Sequence, residues 1–358
     1  MSRFAKGFKD FNSQDITTIR DTLHEAVPIT GTIASGTYAD NNIFNNARDQ
    51  FQAVYDYPYL SSSANHIFDL AIGYPSSMSG SGGAGGTVAQ NRKMNMYNQM
   101  AQTLMGFSTS SQVIPFDRDG TLTTGEKINE AFFINFARLL SKDEIKKQSF
   151  SLQLLSGGTM TSPSELCTIT DAGARESYRT NAAAGEYGIL YTGSAPAADA
   201  AAVGSGVGLV FYQAGVVVLT SSIFGDDAAG YIGPHDSANP GLSYNTVRSM
   251  FTGSSITGAC DAFRNRLHNV SFNNTIDINS TIYFCRLNHN EFNYSSNPTY
   301  LSGSKIVVKN EPSEQPVAFA TSVGLYNANS ELIAVAKSSQ CLQKDFKTSF
   351  VIQCRLDT

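Results

Sequence analysis

From Phe150 to the C-terminus the chain is a series of short apolar segments: FSLQLL, GILYTG, GLVFYQAGVVVLTSSIF, TIYFCRL, KIVVK, VAFATSVGLY, ELIAVAK and SFVIQCRL. Gly, Pro, Asn or Ser separate them. Runs of this length, rich in β-branched and aromatic residues and bounded by turn formers, read as strands. No regular alternation of strand and helix accompanies them, which argues against a doubly wound parallel sheet over this part of the chain. The clearest stretch is VAFATSVGLYNANSELIAVAK, where apolar and polar residues alternate on either side of Asn327 to Ser330. It reads as two strands and a turn, and it carries no catalytic side chain.

The region before Phe150 reads differently. In residues 12–27, Ile16, Ile19 and Leu23 recur at helical spacing and Pro28 ends the pattern, which predicts a short amphipathic helix. HIFDLAIGY, ending at Tyr74, reads as a strand. PSSMSGSGGAGG, residues 75–86, reads as a loop. Met94, Tyr97, Ala101 and Leu104 form one face of a second helix that ends near Gly106. EKINEAFFINFARLL, residues 126–140, predicts a third, and Ser141 with Glu144 has the form of a capping box opening a further helical turn. The expected fold is therefore α+β: a helix-bearing N-terminal part followed by a β-rich, sandwich-like remainder. The expected domains are 1–149, mixed helical; 150–260, β-rich with an Ala/Gly-rich loop at 195–208; and 261–358, a C-terminal β domain.

Composition narrows the function. Charged residues are only 15% of the chain, well below the usual quarter, and Asn, Ser, Thr and Gly take their place. Such a surface suits static contact between proteins. The net charge is −5 and the longest basic cluster, KDEIKK at 142–147, is broken by acids, so no nucleic-acid partner is expected. No apolar run approaches ~18 residues, so no membrane span is expected, and the N-terminal residues lack the apolar core of a secretory signal. Five cysteines, Cys167, Cys260, Cys285, Cys341 and Cys354, are odd in number and widely spaced, the pattern of reduced thiols. The sequons at Asn269, Asn273, Asn279 and Asn293 reflect Asn- and Ser-rich composition.

Few residues suggest chemistry. Asp117-x-Asp119-Gly-Thr-Leu resembles the nucleophile loop of haloacid-dehalogenase-type phosphatases, in which one carboxylate attacks phosphorus, the second handles protons and Mg2+ neutralises charge. Asp226 and Asp227 loosely resemble that family's metal loop. Against this, Pro115 would interrupt the strand that carries the nucleophile, and an Asp/Gly turn explains the residues as well. Gly80-x-Gly82-x-x-Gly85 matches a dinucleotide fingerprint by letter but lies in Ser/Gly low complexity. Cys285 and His289 lie four apart and could share a face of a strand, yet further ligands at zinc spacing are missing. His24, His66, His235 and His268 are scattered. No catalytic, cofactor-binding or metal-binding residue is assigned, and no cofactor is expected.

Several blocks, QAVYDYPYLSSSANHIFDLAIGY, NEAFFINFARLLSKDEIKKQSFSLQL, GEYGILYTG, EFNYSSNPTYLSGSK and the C-terminal stretch from QPVAFATS onward, resemble virion structural proteins of T4-like and other contractile-tailed bacteriophages, including marine ones, some designated VrlC-like. The resemblance implies a non-enzymatic tail or baseplate component, present in several copies, located in the virion and assembled in the host cytoplasm beside other tail proteins. Alternatives are a Mg-dependent phosphatase using Asp117 and Asp119, a host-surface glycan-binding module (disfavoured by the absence of Trp), and a neck or capsid protein of the same virion. The candidate interface residues are Tyr55, Tyr57 and Tyr59 in YDYPY, and Phe292, Tyr294 and Tyr300 in EFNYSSNPTY, because tyrosine offers contact area with a polar handle and little entropic cost.

Overall fold

A computed structural model describes residues 8–29, 42–48, 50–78, 87–122, 125–159, 162–193, 206–224, 251, 256–264, 266–295, 301–302, 305–306, 313, 315 and 317–357. In chain order the strands are β1 (Ile16–Ile29), β2 (Ile43–Asn45), β3 (Gln52–Tyr55), β4 (His66–Gly73), β5 (Ala131–Phe136), β6 (Glu144–Ile145), β7 (Ser151–Thr159), β8 (Ser162–Thr170), β9 (Arg179–Ala182), β10 (Gly185–Thr192), β11 (Gly208–Phe211), β12 (Val216–Thr220), β13 (Leu267–Leu287), β14 (Leu301–Ser302), β15 (Lys305–Ile306), β16 (Val317–Tyr326), β17 (Leu332–Asp345) and β18 (Phe350–Asp357). The helices are α1 (Val88–Leu104), α2 (Arg138–Ser141), α3 (Ala174–Ser177) and α4 (Thr257–Arg264).

Strand outweighs helix, 49% to 17%, and 14 strands belong to one large antiparallel sheet, which corrects the helix-bearing α+β expectation. Two segments account for the error. Residues 16–29 are β1, although Ile16, Ile19 and Leu23 have helical spacing; the β-branched run ITTI favours an extended chain. Residues 131–136 are β5, a central strand between β4 and β12. Its AFFINF sequence is buried on both faces, which removes the period of two that marks a half-exposed strand, and a short apolar run then reads equally as helix. Ser141 ends α2, and Glu144 opens β6 in place of a helix.

The chain divides into two compact units, Leu23–Ile276 and a second made of Met1–Thr22 with Asp277–Thr358. In the larger unit β2, β3, β4, β5, β12, β11 and β10 pair in that order. One face of these strands carries Ala71, Phe133, Leu209, Phe211 and Val218, packed with Tyr97, Ala101 and Leu104 of α1. The helix starts at Thr87, whose hydroxyl accepts the Gln90 N–H while the Gln90 side chain accepts the Thr87 N–H at 2.9 Å. It stops at Gly106, whose φ of +90° suits glycine. Gly73 lets α1 lie close on β4: a Cβ there would sit 2.9 Å from the Lys93 carbonyl oxygen and the Tyr97 nitrogen.

The opposite face presents Phe68, Leu70, Ile72, Phe132, Ile134 and Phe136 to Cys260 and Phe263 of α4 and to Leu152, Ile169, Val270 and Phe272 of β7, β8 and β13. Phe136 lies 6.2 Å from Phe150 and 5.0 Å from Phe272, ring to ring, so later strands of the sheet cover its earlier ones. Burial on both faces supplies the core that drives this unit.

In the smaller unit Ser280–Leu287 of β13 pair with β18, and β16 and β17 form a separate two-stranded ribbon. Residues 8–22 are fastened by ion pairs of Lys9 with Glu291 (2.5 Å), Asp15 with Arg286, Arg20 with Asp277, and Asp21 with Arg355 (2.5 Å).

Candidate interaction surface

Asp117 has the architecture of a structural turn. Its neighbours form a narrow loop: the Ile128 N–H donates to the Phe116 carbonyl at 2.9 Å and the Arg118 N–H to the Glu126 carbonyl at 3.0 Å. The Asp117 side chain is fully buried. Its Oδ1 accepts the backbone N–H groups of Asp119 (2.9 Å) and Gly120 (3.2 Å), and its Oδ2 is paired with the Lys127 ammonium. Lys127 also donates to the Leu122 carbonyl at 3.0 Å. Asp119 accepts the Thr121 N–H and hydroxyl at 2.9 and 2.8 Å. Its carboxyl is pulled down to about 2 by hydrogen bonding to Asp117, then by Thr121 and the Lys127 charge. A phosphoryl-transfer nucleophile must present a lone pair to phosphorus at about 3–3.5 Å; both Asp117 oxygens are already engaged and no face is open. Asp226 and Asp227 lie outside the described residues, as do Gly80, Gly82 and Gly85.

Cys285 and His289 fall in different elements. Cys285 lies in β13, beside Cys354 of β18, and burial first, then the Cys354 sulfur, pushes its thiol up to about 12. His289 lies in the turn beyond β13. Among the described residues no group of three or more His, Cys, Asp or Glu side chains converges in a metal-binding arrangement. All five cysteines are free thiols. His66 instead pairs with Asp69 at 2.8 Å, which raises its pKa.

The aromatic candidates fall in two places. Tyr55 ends β3 and is half-buried; Tyr57 is exposed, and Tyr59 is partly so. Tyr59 lies 5.6 Å from Phe44 and 6.4 Å from Tyr55, so part of the YDYPY loop packs on the sheet rather than projecting from it. In the smaller unit Phe292 and Tyr294 follow β13, exposed by 40% and 59%. They border a groove of about 1050 Å³ whose lining also includes Phe8, Phe11, Phe284 and Tyr326. Lys344, almost wholly buried, braces this region by donating to the His289 carbonyl (3.2 Å), Asn293 Oδ1 (2.7 Å) and the Asp345 carbonyl (2.6 Å). Tyr300 lies outside the described residues.

The sequence pattern identified the β16–β17 hairpin but not its surroundings. Its turn is held by Asn327, whose Oδ1 accepts the N–H groups of Asn329 and Glu331, each at 2.9 Å, while Ser330 takes a φ of +65°. Ala318 and Leu325 face inward. Yet Phe319, Tyr326, Leu332, Ile333 and Val335 are exposed by 44% to 62%. A two-stranded ribbon alone is marginally stable in water, and exposed apolar residues grouped in one element mark an interaction surface. The signal available to sequence reading was the uncharged LIAVA run, residues 332–336.

No protein-family model, curated protein or solved structure matches the chain. Among the described residues no helix is long and apolar enough to cross a membrane.

Proposed function

We propose that the chain is a structural subunit of a contractile bacteriophage tail, located at the baseplate, which holds neighbouring tail proteins through protein–protein interfaces and performs no chemical transformation. The observation that carries the assembly reading is the β16–β17 ribbon, with large apolar side chains open to solvent beside an aromatic groove. A low-charge surface supports it, because neutral hydrogen bonds form across an interface without the cost of burying ions. The address within a virion rests on the resemblance of the sequence blocks to tail proteins. In this reading the chain is present in several copies, in the virion, and contacts neither nucleic acid nor membrane.

Particles assembled with an epitope-tagged copy test the address. Mass spectrometry should find the chain in purified tails, and cryo-EM should place the tag at the baseplate. Its absence from purified particles would reject the tail assignment, and density at the neck or head would move it there.

A further inference from the structure

We infer that β17 is a self-pairing edge: residues 332–336 of two copies pair antiparallel, centred on Ala334, and join two ribbons into one four-stranded sheet. The inference deepens the assembly reading and rests on it. β17 pairs with β16 on one side, and among the described residues no strand occupies its other side. Unpaired edges of natural sheets are ordinarily protected by charge, proline or a covering element. Here the segment is LIAVA, with no charge between Glu331 and Lys337. Its pairing with β16 is regular from Ala334 to Lys337, and the register shift between Leu325 and Tyr326 leaves Ile333 without a partner on β16, a bulge near the turn end of the segment.

The occupant follows from the register. An antiparallel pair centred on Ala334 sets Ile333 opposite Val335 of the second copy, twice over by symmetry, a β-branched pairing that stabilises sheets. It also sets Glu331 opposite Lys337 of the second copy at each end. A parallel, in-register pair would instead place like charges together. In the pairing segment Leu332, Ile333 and Val335 are exposed by 53% to 62%. At roughly 150–200 Å² for a large side chain they open on the order of 300 Å², the size of a functional patch on a monomer, and the backbone hydrogen bonds of the edge add to it.

The test uses the purified full-length chain. Light scattering and sedimentation should give twice the monomer mass. Ile333→Lys with Val335→Lys should halve that mass and leave the circular dichroism spectrum unchanged, since both side chains already face solvent. In a Cys341→Ser background, Ala334→Cys treated with copper phenanthroline should give a covalent dimer on a non-reducing gel, and Gln343→Cys should not, because residue 343 has no counterpart on the partner's β17 in this register. A monomeric wild type, a dimer untouched by the two lysines, or a dimer that fails to cross-link through residue 334 each overturns the inference. A chain that enters particles but stays monomeric rejects the self-pairing alone; a self-paired dimer missing from particles rejects the tail address alone.

Discussion

Asp117→Asn separates a structural role for the DRDG loop from a catalytic one. The two oxygens of Asp117 do different work: Oδ1 accepts two backbone N–H groups and Oδ2 neutralises Lys127. Asparagine keeps the first function but turns an amide NH2 toward an ammonium, so one charge-assisted bond is lost and two donors face each other. A charge-assisted bond contributes about 1.5–3 kcal/mol, and breaking a fully buried pair costs about 3–5 kcal/mol. The Lys127 side chain keeps 25% of its surface in water, which solvates it when the partner is gone and places the cost near the lower range. The expected loss is ~2 kcal/mol, or about 4–8 °C in melting temperature for a unit of this size. Thermal and urea melting should be followed by tyrosine fluorescence or circular dichroism, since the chain has no Trp. Adding Lys127→Met to the Asn variant should recover about 1 kcal/mol, as expected for side chains in direct contact. Neither wild type nor variant should hydrolyse an aryl phosphate with Mg2+. Nucleophiles are commonly held at a cost in stability, so a variant at least as stable as wild type, together with Mg-dependent turnover that it abolishes, would refute the structural role.

Three further outcomes follow from the packing and charges. Phe132→Ala removes a buried ring that lies 5.0 Å from Phe251 and 4.8 Å from Phe263, and should cost about 3–5 kcal/mol in urea unfolding. Gly73→Ala brings a methyl group within 2.9 Å of the α1 backbone and should cost about 1–3 kcal/mol, with hydrogen exchange accelerated along α1 rather than in the β16–β17 ribbon. Hydrogen bonding from Arg286 holds the Asp15 carboxyl below its ordinary 3.8, and hydrogen bonding from Arg20 and Thr22 does the same for Asp277. A depressed carboxyl contributes stability that is full above the unfolded value and is lost as pH falls through the folded one. Pepsin should therefore cut residues 8–22 progressively faster as pH drops below 3.8, and Asp15→Asn should bring that susceptibility to higher pH.

The local sequence determined the elements whose signals are complete within a few residues. The face of α1 and its glycine stop were legible because a helix with one exposed side keeps its period of 3.6. The β16–β17 hairpin was legible because two apolar segments flank a turn that Asn327 closes with its own side chain. The tertiary structure decided what depends on neighbours distant in the chain. β5 is a strand because β4 and β12 flank it and two cores cover it, and that double burial is what made AFFINF ambiguous. β1 is extended despite helical spacing, and strand pairing repays the entropy of ordering it only when a remote segment is present. Asp117 became a loop anchor through Lys127, ten residues away, where the letters alone also allowed a nucleophile. The exposure of Ile333 and Val335 depends on what the rest of the chain leaves uncovered. Hydrophobicity is a property of the residue, whereas burial is a property of its surroundings.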